Sequence, residues 1–295
     1  MTGPERGFLL LCSHLGDPER KCLTTAQFRK LTRRVRQSEM IPSDRDLESG
    51  DLTSLGYSHE EAQRIVDLLS EEERLDHYLR RAERAGCHVL TLFSGRYPKP
   101  LEQRLGDDAP AVLWYRGDPT ILERDGIGLA GSRDLLPENA AFAREAGVQA
   151  ARQNLTLISG NARGADRTAQ QGCLESGGSV IAILADSLKT HAPEENCLFL
   201  CEDSFDLPFS PIRALSRNRL IHSMGIATLI AQSTLNRGGT WDGSVKNLRF
   251  GWTELFCFDD RRESTGRLHQ MGAELISLSD LSDLRSLPAQ PRKLI

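Results

Sequence analysis

Between Gly126 and Leu184 three short apolar segments alternate with two helical ones, and this alternation limits the possible folds more than any other feature of the chain. The segments are Gly126-Ile-Gly-Leu-Ala130, Leu155-Thr-Leu-Ile-Ser159 and Ser179-Val-Ile-Ala-Ile-Leu184. The first runs into Gly131-Ser132-Arg133, the second into Gly160-Asn161-Ala162-Arg163-Gly164-Ala165-Asp166. Strands joined through helices form a parallel sheet covered on both faces, and the loops that follow the strands gather at its carboxyl edge. Backbone N–H groups and helix N-termini face an anionic ligand there. Glycines let the backbone approach closely, and arginines add formal charge, so the pattern predicts a phosphate-binding α/β unit.

Two common nucleotide fingerprints are absent. Gly126-x-Gly128 opens the strand instead of lying in the turn after it, so it is not the dinucleotide motif. No Gly-x-x-x-x-Gly-Lys-Ser/Thr occurs, which removes support for a nucleoside-triphosphate loop.

The formal net charge is −4, with 19 basic and 21 acidic side chains in residues 1 to 124 and 18 and 20 in the remainder. A polyanion must therefore be held by a local patch, because the whole molecule does not attract it. Seven scattered cysteines without a Cys-x-x-Cys pair predict reduced thiols. His191, Cys197 and Cys201 lack a second ligand pair at zinc-like spacing, so no metal and no cofactor is expected. No apolar run approaches a membrane span and no signal segment opens the chain, so a cytoplasmic protein without membrane contact is expected.

Along the chain, helices are predicted at Gly7 to Ser13, at Thr24 to Gln37 with Thr24 or Thr25 as cap, and as a short turn at Ser43 to Ser49. Leu55-Gly56-Tyr57-Ser58 before Glu60 to Leu69 resembles a helix-hairpin-helix or SAM-like element, with Ser58 as the cap. Its acidic first turn favours packing over phosphate contact. A helix over Leu75 to Ala85, capped by Gly86, leads to strands at His88 to Phe93 and Ala111 to Arg116, which read as an accessory edge of the later sheet. The boundary falls near 85 or near 125. Beyond Leu184, strands are expected at Ile226 to Gln232, Glu254 to Phe258 and Glu274 to Ser277, with helices at Ile212 to Met224, Trp241 to Phe250 and Thr265 to Met271.

Four loop clusters should converge on the sheet edge: Gly131-Ser132-Arg133, Ser159 to Asp166, Ser216-Arg217-Asn218-Arg219, and Asn236-Arg237-Gly238-Gly239-Thr240-Trp241. The order Gly-Ser-Arg, Ser-Gly-x-Ala-Arg-Gly-x-Asp, Arg-Asn-Arg, then a glycine-rich turn resembles the DNA-processing protein A (DprA/Smf) family. Tyr97-Pro98-x-x-Leu101 and Ala109-Pro110-x-x-Leu113 resemble the lead-in of that family, and the likeness runs from about Leu55 to Ile276. The resemblance implies an α/β fold with an extended Rossmann-like parallel sheet, helices on both faces, and a small helical SAM-like domain in front. The corresponding division is a helical domain at 1–85, a Rossmann-like domain at 86–285 and a basic tail at 286–295. It further implies binding of single-stranded DNA, delivery to a RecA-type recombinase, a homodimer and no catalytic turnover. Matched residue by residue, Gly131, Ser132 and Arg133 form the first phosphate loop. Ser159, Gly160, Ala162, Arg163, Gly164 and Asp166 form the second, and Arg217, Asn218 and Arg219 the third; Gly238, Gly239 and Thr240 of the glycine-rich turn are further candidate phosphate contacts, though they do not follow the family's turn.

The chain departs from the pattern in three places. Ala169-Gln170 stands where the family has Ala-His, Gly238-Gly239-Thr240-Trp241 replaces a Ser-Gly-Ser-x-x-Thr-Ala turn, and a carboxy-terminal winged-helix domain is expected to be lacking. This resembles a divergent branch.

Several residues admit two roles. Arg133 either meets the ligand or pairs with a carboxylate such as Asp166, and Asp166 reads as a cap that orients its loop. Arg217 and Arg219, two apart on a helix, do not share a face. Trp241 either stacks on an unpaired base or closes the core, and Lys246 and Arg249 either flank the site or are simply solvated. Ser132 and Ser159 lack a histidine partner, so nucleophilic catalysis is not expected. As an alternative, Gly238-Gly239-Thr240 resembles the Pro-Gly-Gly-x-Gly-Thr loop of LOG-type nucleotide phosphoribohydrolases, although the proline and third glycine are missing and the nearest following acid is Asp242. A sensor of a nucleotide signal on the same fold is a further alternative.

Overall fold

The computed structural model describes residues 2–38 and 47–287. The turn predicted at Ser43 to Ser49 falls mostly on residues 39–46, and the basic tail mostly on 288–295, outside the described residues. Local signals set the ends of the leading helices. In α1 (Gly3–Cys12), α2 (Thr25–Gln37) and α4 (His59–Leu69), a Thr or Ser hydroxyl accepts the third backbone N–H of the helix, and the Glu or Gln at that position answers the cap. A short α3 (Ser49–Ser54) precedes α4, and α5 (Glu72–Arg84) follows it.

Among the described residues nine strands form one sheet: β1 (His88–Thr91), β2 (Val112–Arg116), β3 (Gly126–Ala130), β4 (Thr156–Ser159), β5 (Val180–Ile183), β6 (Cys197–Cys201), β7 (Ala227–Ile230), β8 (Glu254–Phe258) and β9 (Glu274–Ile276). Their spatial order is β1-β2-β6-β5-β4-β3-β7-β8-β9. From β6 to β9 every pairing is parallel, whereas β2 runs antiparallel to both β1 and β6 and makes the accessory edge. The intervening helices are α6 (Lys99–Leu105), α7 (Pro137–Arg152), α8 (Ala165–Glu175), α9 (Pro211–Met224), α10 (Gly238–Phe250) and α11 (Glu263–Gln270).

Strand β6 was not expected from the sequence. Its five residues, Cys-Leu-Phe-Leu-Cys, are all buried, with Cys197, Phe199 and Cys201 on one face and Leu198 and Leu200 on the other. A strand buried on both faces has no polar alternation to reveal it. His191, considered with Cys197 and Cys201 as a ligand, pairs instead with Asp186 (3.0 Å). No metal-ligating cluster occurs among the described residues, and none of their helices is long and apolar enough to cross a membrane.

The leading helices share a core with one face of the sheet. Tyr78 of α5 packs edge-on against Trp114 of β2, centroids 5.2 Å apart, and lies 4.9 Å from the Phe205 ring. Its hydroxyl, kept protonated by burial, donates to Asp206 (2.8 Å), which also receives Arg81. This contact joins α5 to the loop after β6. Tyr78→Phe should keep the packing and lose the hydrogen bond, lowering stability by about 1 to 2 kcal/mol in urea unfolding. An unchanged midpoint would show the bond to be energetically idle.

Candidate phosphate-binding cleft

The chain proceeds from β3 through β4 and β5 to β6 on one side, then returns to the other side of β3 for β7, β8 and β9. The loops after β3 and β7 therefore diverge at a topological switch point, where a crevice opens outside the carboxyl ends of the strands. A cleft of about 570 Å³ occupies that position.

Three loops are laced together around it. Ser132 N–H donates to Gln232 O (2.9 Å), the Gln232 side chain bonds the backbone of Asp134 and Leu136, and Thr240 Oγ1 donates to Gly131 O (2.9 Å). Ala165 N–H donates to Ser132 O (3.1 Å). Gly164 makes this approach possible: its φ is +86°, and a Cβ there would lie 2.4 Å from Ser132 O.

Asp166 shapes the second loop from within. One carboxylate oxygen accepts the N–H groups of Gly160 and Ala162, each at 3.1 Å. Burial raises the Asp166 pKa, opposed by the neighbouring Arg217 charge and by those two N–H groups. Arg217 is itself buried, and burial lowers its pKa while Asp166 supports the charge. Its Nη1 donates to Ile183 O (2.9 Å), and the guanidinium lies so close over Gly160 that a Cβ there would fall 1.5 Å from Nη1. The glycine in this loop is thus required by an arginine from a distant helix.

Ten of the residues singled out from sequence line the cleft: Gly131, Ser132, Arg133, Ala162, Asp166, Arg217, Asn218, Gly238, Gly239 and Thr240. Asn218 Nδ2 donates to Gly239 O (2.9 Å) and ties α9 to the start of α10. Arg133 is exposed and has no ion-pair partner among the described residues. Arg237 joins it with the same exposure; it stood in the glycine-rich loop but was not among the residues singled out. The lining contains three arginines and one carboxylate, the buried Asp166, so the cleft is locally cationic in an acidic protein. His222, Ser233 and Phe209 also line it, without any motif in the sequence to mark them.

The structure places the remaining candidates elsewhere. Ser159 is buried and accepts a bond from Gln170 Nε2 (2.7 Å), so the glutamine that departs from the family pattern supports β4 from behind. Gly160 and Gly164 shape the loop without lining the cleft. Arg163 reaches Asp134 (2.7 Å) in a pair that solvent largely surrounds. Arg219 leaves from the other side of α9, pairs with Glu202 (2.5 Å) and bonds Asp108 O. Trp241 packs half-buried against the small core cluster that includes Ile230 and Leu255, Lys246 pairs with Asp242 (2.9 Å), and Arg249 lies over Phe250.

This fold and cleft have counterparts among known proteins. The family model described as DNA recombination-mediator protein A matches residues 88–283. The chain belongs to that family. Protein Smf of Escherichia coli is 24% identical over 69% of this chain and 56% of its own length, and Protein Smf of Synechocystis 26% identical over 80% and 63%. DNA processing protein DprA of Streptococcus pneumoniae is 30% identical over 30% of this chain and 31% of its length. The chain thus spans between about a third and just under two thirds of these curated relatives. Among solved structures, DprA of Streptococcus pneumoniae superposes with TM-score 0.70 at 20% identity, covering 95% of this chain and 97% of that one. DNA processing protein A of Helicobacter pylori, whose structure is described as giving insight into a single-stranded DNA binding mode, superposes with TM-score 0.58 at 22% identity over 67% and 94%. Both likenesses establish the family's fold.

Burial holds His222 neutral by lowering its pKa from 6.5 to about 4. The unfolded chain therefore binds a proton that the folded one refuses, so this contribution is fully present above pH 6.5 and disappears as pH falls toward 4. The loss should be about 3 kcal/mol across that window, read by urea unfolding at several pH values. His222→Asn should show a shallower fall over the same range, and an identical pH profile would refute the assignment.

Proposed function

We propose that the cleft grips the sugar-phosphate backbone of single-stranded DNA and that the protein acts in DNA processing by binding, without turnover. The observation that carries this reading is the convergence of Arg133, Arg217 and Arg237 with the N-termini of α8 and α10 on one open cleft. Backbone N–H groups and guanidinium groups recognise phosphates without reading base edges, which gives little sequence preference and strong salt dependence. The single-stranded DNA named for the Helicobacter pylori relative supports the same ligand class here. The residues proposed to meet phosphate are Gly131, Ser132, Arg133, Arg217, Gly238, Gly239 and Thr240, now with Arg237, while Ala162, whose N–H is taken by Asp166, lines the cleft. Ser159, Gly160, Gly164, Asp166 and Asn218 are assigned to holding the loops.

Arg133→Ala should lower affinity for oligo-dT and reduce the dependence of log K on log salt by about 0.7, the share of a single phosphate neutralised on single-stranded DNA. A folded variant with unchanged affinity and slope would refute the reading.

The division into a helical unit at 1–85 and a Rossmann-like unit at 86–285, the homodimer, and delivery of DNA to a RecA-type recombinase complete the proposal, with recombination or DNA uptake as the setting. Light scattering should return about twice the 32.8 kDa chain mass, and a DNA-loaded protein should speed recombinase filament formation. A monomer mass, or an unaltered filament rate, would remove the corresponding element.

A further inference from the structure

Three side chains that line the cleft each carry a buried polar atom without a partner: Arg217 Nε, His222 Nδ1 and Ser233 Oγ. All three residues are more than nine-tenths buried. Native proteins pair nearly all such atoms, and each left unpaired costs about 1 to 3 kcal/mol, so a group of them on one cavity wall points to a ligand. Arg217 suits an anion. Ser233 and the neutral His222 each offer a donor and an acceptor without charge, which suits an uncharged polar group. Phe209 and Leu215 add an apolar side to the same cleft. At about 570 Å³ the space exceeds what a phosphate group alone requires and lies within the range of small-molecule sites.

We propose that the cleft also takes a free nucleoside monophosphate, with its phosphate among Arg133, Arg217 and Arg237 and its uncharged sugar or base toward Ser233 and His222. The free nucleotide and the DNA strand then exclude one another. This inference rests on the DNA reading above and adds regulation of the same site. Phosphates of a strand account for the arginines, whereas the unpartnered Ser233 and His222 atoms call for a ligand with a polar part beyond its phosphate.

The test is calorimetric titration of the full chain with the four deoxynucleoside monophosphates and with inorganic phosphate, followed by displacement of labelled oligo-dT by each. At least one nucleotide should bind about tenfold or more tightly than phosphate and displace oligo-dT. Ser233→Ala deletes an unpartnered hydroxyl, so its melting temperature should be equal or higher. Its preference for nucleotide over phosphate should narrow about tenfold, which corresponds to about 1.4 kcal/mol. Absence of nucleotide binding up to about 5 mM with oligo-dT still bound would overturn this inference and leave the DNA reading standing. Equal displacement by phosphate would overturn it too, since a plain anion site would then suffice. Nucleotide binding without any oligo-dT binding would overturn the DNA reading and leave the nucleotide site.

Discussion

The Asp166 carboxylate holds the centre of this molecule's cleft. It accepts two backbone N–H groups of the loop after β4 and lies beside the buried Arg217 guanidinium, which passes over Gly160 to the end of β5. Each member depends on the others. Without Asp166, one buried and one partly buried N–H group would lose their acceptor and the buried Arg217 the nearby negative charge that supports it, which should cost more than loss of a solvated surface pair. Without glycine at 160, the guanidinium would have no room. The loop conformation is thus set by internal electrostatics before any ligand arrives, which is what a preorganised anion site requires.

That arrangement sorts the arginines into classes. Arg217 is partly consumed in building the loop, Arg163 and Arg219 are engaged with Asp134 and Glu202, and Arg133 and Arg237 remain exposed at the mouth. The cationic character of the cleft therefore comes from a few side chains that the fold leaves uncommitted. The Arg163 pair is largely solvated and worth little, so freeing Arg163 from Asp134 would cost little. Arg219 is held by two oxygens of Glu202 and by Asp108 O, on the far side of α9.

Much of this was legible in the chain. Capping boxes at Thr24 and Ser58 marked helix starts, and the apolar segments ending in Gly131 and Gly160 marked two strands with their loops. Strand β6 was not legible: burial on both faces erases the alternation in β3 and β4 as well, but those two end in glycine-bearing loops that mark them, and β6 runs into Glu202-Asp203-Ser204 without one. The partners of the arginines were not legible either: Arg217 and Arg219 belong to one tripeptide, yet one enters the cleft and the other joins Glu202. His222 and Ser233 sit in no motif, and Arg237 had only its place in the glycine-rich loop to mark it; the packing of α9 and the start of α10 beside β3 assembles them.

The sequence by itself determined the alternation of strand and helix, the glycines at the turns and the family pattern, because these depend on short-range periodicity and local backbone geometry. Only the tertiary structure decided which charges face the cleft and which are spent on carboxylates. That choice depends on neighbours up to about a hundred residues away, brought together by the reversal of strand order at β3, and no local pattern encodes such distances.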